Sequence, residues 1–224
     1  MENARIHAIK DAATLLFLQQ GYSRTQISHI AKAVGVSVGT IYHDFTGKQE
    51  ILHFVLKCTI DPDYSNQKFA RPITDKNLDG LMEEISATLQ KNAVDFSQHL
   101  ADKADGYTFP ALISDTFDFL SQYAVGCLFI EKNKVEFPHL ARSYQSYRQQ
   151  FFESMTAYLT LFIEKGAVRP LRHVELSTTL IIELLTWWAM DVRYVSFDDS
   201  LKNIPQELAK EICMDNIMTA YALP

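Results

Sequence analysis

Two short apolar-patterned segments on either side of Gly35 constrain this chain more than any other feature. Ile27, Ile30, Ala31 and Val34 recur at the three- and four-residue spacing of one buried helix face. Thr25 stands before them as the expected N-cap, and Gly35 closes the segment after only about nine residues. Ser37 then caps a third segment through Ile41 and Phe45, which are four apart and should face inward. Gly35 can take the left-handed conformation that ends a helix, and the small Ala31 lets the two helices approach closely. Two short helices joined by a tight glycine turn make a helix-turn-helix. Ahead of them, Ile6, Ile9, Ala13, Leu16 and Phe17 mark the apolar face of a first helix, which Gly21 ends.

The third segment is unusual in what it leaves outside. With Ile41 and Phe45 inward, Val38, Gly39, Thr40, Tyr42 and His43 face solvent or a partner. Small groups, a β-branched methyl, a phenol and an imidazole suit close approach to a DNA major groove. Ser37 and Thr25 put hydroxyls and free backbone N–H groups at helix N-termini, where phosphates bind well. Lys48 adds a phosphate-seeking charge at the start of a fourth helix. Charge agrees with this only when divided. The whole chain carries −6, yet residues 1–57 carry +2 with four of the seven histidines, so the rest carries −8. A mildly basic head on an acidic body fits a chain whose first segment alone meets a polyanion.

The stretch from Gly21-Tyr22 through Thr25 to Lys48 resembles the N-terminal domain of the TetR/AcrR family of bacterial transcriptional regulators. Its most specific part is Gly35-Val36-Ser37-x-Gly39-Thr40-Ile41-Tyr42-x-x-Phe45-x-x-Lys48. The resemblance covers about the first 55 residues, and beyond them only the layout is similar. It implies a homodimer that places one recognition helix in each half-site of a pseudo-palindromic double-stranded DNA operator. It also implies phosphate contacts from the positions of Tyr42 and Lys48, with Val38, Gly39, Thr40 and His43 facing the groove. Three positions depart from the family pattern. Asp44 stands where His or Tyr is common, and its carboxylate must either turn away or repel phosphate. Ser28 stands where an Arg often reaches a base. His29 stands where an acidic residue is common, so a capping box with Thr25 lacks its usual partner.

The body after this head reads as all-helical. Lys48–Thr59 continues the fourth helix, and Pro62 and Pro72 bracket a polar linker. Leu78, Leu81, Ile85, Leu89 and Phe96 mark a long fifth helix. Further helices run from Phe109-Pro110 to about Ile130 and from Pro138 to Gly166. Residues from about Val174 to Phe197 are apolar nearly all round, as in a helix buried on two sides, one against the core and one against a partner subunit. A last helix follows Pro205. The last two helices meeting their symmetry mates would form an isologous four-helix interface, with Leu180, Leu184, Trp187, Asp191, Ile212, Asn216 and Ile217 as the expected dimer contacts. A pocket for a small hydrophobic effector is expected between body helices, lined by Phe96, Phe117, Tyr123, Tyr147, Phe151, Met155, Trp187 and Trp188. Trp187 and Trp188 near Glu183 and Asp191 could hold a cationic aromatic ligand.

No enzyme signature is legible. The chain has no phosphate-binding glycine loop, nucleophile elbow or His-Glu-x-x-His run. Two Glu-x-x-His runs exist, Glu50–His53 and Glu136–His139, but the first lies beside the helix-turn-helix and the second contains Pro138. Cys58, Cys127 and Cys213 are widely spaced, which suits a reducing cytosol and gives no zinc or disulfide framework. Stretches free of charge reach only twelve residues, too short for a spanning helix, and charged residues interrupt the start where a signal peptide would need an apolar run. These observations predict an all-α cytoplasmic protein with a DNA-binding head over residues 1–47 and an effector-binding and dimerisation body over 48–224. The expected function is a non-enzymatic, ligand-responsive repressor without cofactor or metal. The alternatives are a helical binding protein with a non-functional DNA head, or a carboxylate-bridged metalloenzyme.

Overall fold

The computed structural model describes residues 2–223. The fold is all-α: α1 (Glu2–Gln19), α2 (Ile27–Val34), α3 (Val38–Asp44), α4 (Lys48–Ile60), α5 (Leu78–Ser97), α6 (Phe109–Lys132), α7 (Pro138–Glu164), α8 (Val174–Thr186), α9 (Val192–Val195), α10 (Asp199–Lys202) and α11 (Gln206–Tyr221). A π-helical turn, Trp187–Asp191, joins α8 to α9. Extended pairing among the described residues is limited to two isolated bridges, Phe45 with Ile73 and Val168 with Ala222. The chain divides into two compact units. The first holds the residues up to Thr88 with Val125–Ala141, and the second holds Leu89–Ala124 with the residues from Arg142 onward.

In the first unit the apolar spacing becomes a core. Ile6, Ile9, Ala13 and Phe17 of α1, Ile30 and Ala31 of α2, Ile41 of α3, Phe45, and Ile51, Leu52, Phe54, Val55 and Leu56 of α4 are all buried. Gly35 ends α2 at φ 77° and ψ 32°, the left-handed conformation that a glycine adopts without cost. Ser37 caps α3 as its position predicts, its hydroxyl accepting from the Thr40 N–H at 3.1 Å. Asn133 is a buried polar anchor of this unit. Its Oδ1 accepts from the Tyr22 N–H at 2.7 Å, and its Nδ2 donates to the Phe129 carbonyl at 2.8 Å.

Two expectations fail here for identifiable reasons. The N-cap of α2 is Gln26, not Thr25. Thr25 is fully buried, and its hydroxyl is spent on donating to the Gly21 carbonyl at 2.8 Å and accepting from Gln20 Nε2 at 3.1 Å. The Gln26 N–H instead finds His29 Nδ1 at 3.3 Å, so an imidazole takes the part a glutamate usually plays in a capping box. The segment between Pro62 and Pro72 is not a polar linker either. Tyr64 and Phe69 join Phe54 in a three-ring cluster with centroids 5.2–5.4 Å apart, and Phe45 meets Phe54 edge-on at 5.5 Å. Beyond it, residues 71–73 run alongside the end of α3. Ile73 N–H donates to the Asp44 carbonyl at 2.7 Å, and Thr46 N–H donates to the Ile73 carbonyl at 3.1 Å.

The second unit is built on aromatic rings from α5, α6 and α7. Phe96 packs on Phe151 at 4.7 Å and on Tyr158 at 5.7 Å, and the Tyr158 hydroxyl donates to the Phe96 carbonyl at 2.7 Å. Phe109 meets Phe162 at 6.0 Å. The end of α11 is tied back after α7: Arg169 N–H donates to the Tyr221 carbonyl at 2.9 Å and Leu223 N–H to the Ala167 carbonyl at 3.0 Å. The run from Val174 to Phe197 is less buried than its composition predicts, because Leu176, Leu180 and Trp187 form an outward stripe along α8 and into the π turn.

Asn133→Ala removes the acceptor of the Tyr22 N–H, while the Phe129 carbonyl keeps the Asn133 backbone N–H at 3.0 Å. The substitution should lower stability by about 1–3 kcal/mol in urea unfolding, the cost of leaving such a group unsatisfied. A loss of a few tenths would mean that the bond to Tyr22 does not contribute.

Candidate functional site

The exposed face of α3 follows from how firmly its other face is held. Ile41 and Phe45 are fully buried. Val38 (40% exposed), Gly39, Tyr42 (50% exposed) and His43 are exposed, while Thr40 is half-buried with its hydroxyl 2.9 Å from that of Ser37. Ser28, on α2, and Ser37 are also exposed. Two predicted phosphate contacts sit differently. The Thr25 side chain is sealed inside the head, so its assignment to DNA is corrected: a wholly buried hydroxyl with both roles filled has nothing to offer a phosphate. Lys48 is half-buried. Its Nζ donates to the Tyr22 carbonyl at 2.9 Å and lies 4.2 Å from the centre of the Tyr22 ring. Burial pushes the Lys48 ammonium below its ordinary pKa.

The residue that organises this end of α3 is Asp44, which sequence reasoning left between two options. It turns inward and is fully buried. Its carboxylate accepts from Arg5 Nη2 at 2.7 Å and Nε at 2.5 Å, and from Arg71 Nη1 at 2.5 Å, with His43 Nδ1 3.2 Å away. Burial alone would raise its pKa. Hydrogen bonds from Arg5 and His43, with the charges of Arg71 and Arg5, outweigh that and hold the carboxyl below its usual range. Both carboxylate oxygens are taken by guanidinium groups, so Asp44 does not present its charge to an approaching phosphate. Arg5 and Arg71 were missed because they lie 39 and 27 residues from Asp44. An Asp at a position that the resemblance gives to His or Tyr was the one available signal.

The remaining predicted residues divide by burial. Phe117, Tyr147, Phe151 and Met155 are core side chains, Phe96 and Tyr123 are half-buried, and Phe96 is stacked into the ring cluster. A cavity of about 340 Å³ lies elsewhere in the second unit, beside the π turn, and of the predicted pocket residues only Trp188 lines it. Its charged wall residues are Arg193 and Lys202, the opposite sign from the cation site expected around Glu183 and Asp191. Of the predicted dimer contacts, Leu180 (64% exposed), Trp187, Ile212 and Asn216 are exposed, and Leu184 and Asp191 are half-buried. Ile217 is corrected: it is 1% exposed and belongs to the chain's own core. Leu176 and Leu208, not anticipated, extend the exposed stripes of α8 and α11.

The model of bacterial regulatory proteins of the tetR family matches residues 9–55. The head of this chain is thus similar to the DNA-binding head of tetR-family regulators. This tetR-type head is 47% identical over 57 residues to the HTH-type transcriptional regulator HbdR of Aromatoleum sp. (strain CIB), covering 25% of each chain. It is 45% identical over 49 residues to the fatty acid metabolism regulator protein of Bacillus subtilis (strain 168), covering 22% of this chain and 25% of that one. The match thus spans about a quarter of the curated relatives. The fold of the whole chain is similar to that of the ketosteroid transcriptional regulator KstR2 of Mycobacterium tuberculosis, with a TM-score of 0.51 at 16% identity over 98% of this chain and 96% of that one. It is similar also to a chain from Saccharomonospora viridis in complex with choline, with a TM-score of 0.51 at 13% identity over all of both chains.

Among the described residues no three His, Cys, Asp or Glu side chains converge as a metal site. Burial pushes the thiols of Cys58 and Cys213 up to about 11, so thiolate is scarce at neutral pH. No described helix is long and apolar enough to cross a membrane.

Asp44→Asn removes the charge that both arginines share and should cost about 3 kcal/mol in urea unfolding, at the low end for a broken buried pair because Arg5 is a third exposed. The sign with pH is fixed. The folded pKa lies below the unfolded value of about 3.9. The contribution is therefore complete above that value and is lost as pH falls through the folded pKa. Wild type should lose more stability than Asp44→Asn on acidification across that window. Parallel acid limbs would refute the assignment.

Proposed function

We propose that this protein is a ligand-responsive, DNA-binding transcriptional regulator that acts as a homodimer. By the habit of the family whose head it carries, it represses. The observation that carries this reading is the face of α3: a clamped helix offers Val38, Gly39, Tyr42 and His43 to solvent while its opposite side is fully buried. The roles that similar proteins are named for, in fatty acid metabolism and ketosteroid regulation, fit a regulator of small-molecule metabolism. In this reading residues 1–47 read DNA, and the rest receives the effector and the second subunit. The protein works in the cytoplasm, where its operator lies, and it needs neither catalysis nor a cofactor.

Dimerisation brings two copies of α3 to adjacent major grooves, about 34–36 Å apart for one turn of DNA. The apolar stripe Leu176–Leu180–Trp187 with Leu208 and Ile212 is the face that a second copy would cover. An effector then acts by binding the DNA-free arrangement more tightly than the DNA-bound one, which moves α4 and the head it adjoins.

Against duplexes selected from a random pool, Tyr42→Phe should weaken binding about tenfold whatever the sequence, as loss of one hydrogen bond to a phosphate does. His43→Ala should instead change which bases are selected. Failure to select any duplex at low salt would sink the DNA reading. A Leu180→Glu, Ile212→Glu double variant should sediment as a monomer and bind duplex more weakly. A wild-type chain that sediments as a monomer at micromolar concentration would refute the dimer.

A further inference from the structure

The cavity beside the π turn carries a specific chemistry. Its volume of about 340 Å³ falls in the range of small-molecule sites, about 300–1,000 Å³. Trp188, Val192 and Ile204 supply an apolar wall, and Arg193 and Lys202 are its charged residues, with no carboxylate among them. The two cations are not equivalent. Lys202 Nζ donates to Asp199 Oδ1 at 2.7 Å and is largely neutralised there. The Arg193 side chain has no acidic or hydrogen-bonding partner among the described residues. On the α6 wall, the Ser121 hydroxyl is buried without a hydrogen-bond partner. Such orphaned groups are uncommon and mark a place where something else supplies the bond. The adjacent π turn, Trp187–Asp191, interrupts a helical run, and such turns concentrate at functional sites.

We infer that this cavity binds a small monocarboxylate with an apolar aliphatic or aryl body. The planar guanidinium of Arg193 pairs with the carboxylate through two parallel bonds, a match in shape that an ammonium does not make. Ser121 Oγ donates to a second acceptor on the ligand or to its bound water. The body of the ligand packs on the Trp188 ring. One uncompensated cation suits a monoanion better than a phosphate. This inference gives the effector of the proposed regulator a site and a chemical class, and it depends on that reading only for its regulatory meaning.

The chain's two tryptophans make the test direct. Trp187→Phe leaves Trp188 as the only indole, and Trp187 is not on the cavity wall. The single-tryptophan protein is titrated with octanoate and phenylacetate, with their amides, and with choline. Expected is a saturable change in Trp188 fluorescence with at least one acid and none with its amide or with choline. Arg193→Gln, at an exposed position, should weaken that binding about tenfold or more while leaving the thermal midpoint in place, and Arg193→Lys should restore part of it. No saturable response to either acid, equal binding of acid and amide, a response to choline instead, or unchanged binding in Arg193→Gln would each overturn the inference. Duplex binding is measured separately on the wild-type protein. Intact duplex binding without acid binding overturns the cavity assignment and leaves the regulator reading standing. Acid binding without duplex binding supports the cavity assignment and removes the regulator reading.

Discussion

A buried carboxylate is among the costliest groups a protein can hold, and Asp44 is held at the end of a helix whose other face is open to solvent. Taking a charge out of water costs several kcal/mol even after relaxation, and only close, hydrogen-bonded partners offset it. Arg5 from α1 and Arg71 from the segment after α4 supply them. The backbone repeats the connection, because Ile73 N–H reaches the Asp44 carbonyl and Thr46 N–H reaches the Ile73 carbonyl. With seven residues, α3 is too short to be stable by its own hydrogen bonds. Its shape is a tertiary property, fixed by Ile41 and Phe45 beneath it and by this joint at its end.

Thr25 serves the fold where an interface role was expected, and Lys48 and His29 also bond within the head. Thr25 ties the end of α1 to the start of the next turn. Lys48 closes on the Tyr22 carbonyl and ring, and His29 completes the cap of α2. A hydroxyl, an ammonium or an imidazole near a helix end satisfies whichever orphan group is nearest, and inside a small core that group is often another part of the chain. The outward groups of α3 are free to meet a partner because these others have been used up within.

The second unit shows the same division between filling and binding. Rings from α5, α6 and α7 pack against one another at 4.7–6.0 Å, so most aromatics of the body are core. The cavity lies beside the π turn, and its lining mixes Trp188 and aliphatic side chains with neutral polar residues and two cations. Aromatic content alone does not separate these roles, since a ring buries the same area against another ring as against a ligand.

The sequence by itself determined the helices of the head, the glycine that ends α2, the serine that caps α3 and which side of α3 turns inward. Each follows from spacing or from the conformational preference of a single residue, information that is local and therefore written in order along the chain. The long body helices were legible for the same reason. Tertiary structure alone decided that Asp44 is clamped rather than repelling, that Thr25 and Ile217 are sealed inside, that residues 62–73 pack as an aromatic cluster, and that the cavity has cations on its wall. Those outcomes depend on which distant residues meet. Burial and charge pairing are set by neighbours in space, and nothing in the order of residues from Arg5 to Asp44 to Arg71 says that three charges will share one pocket.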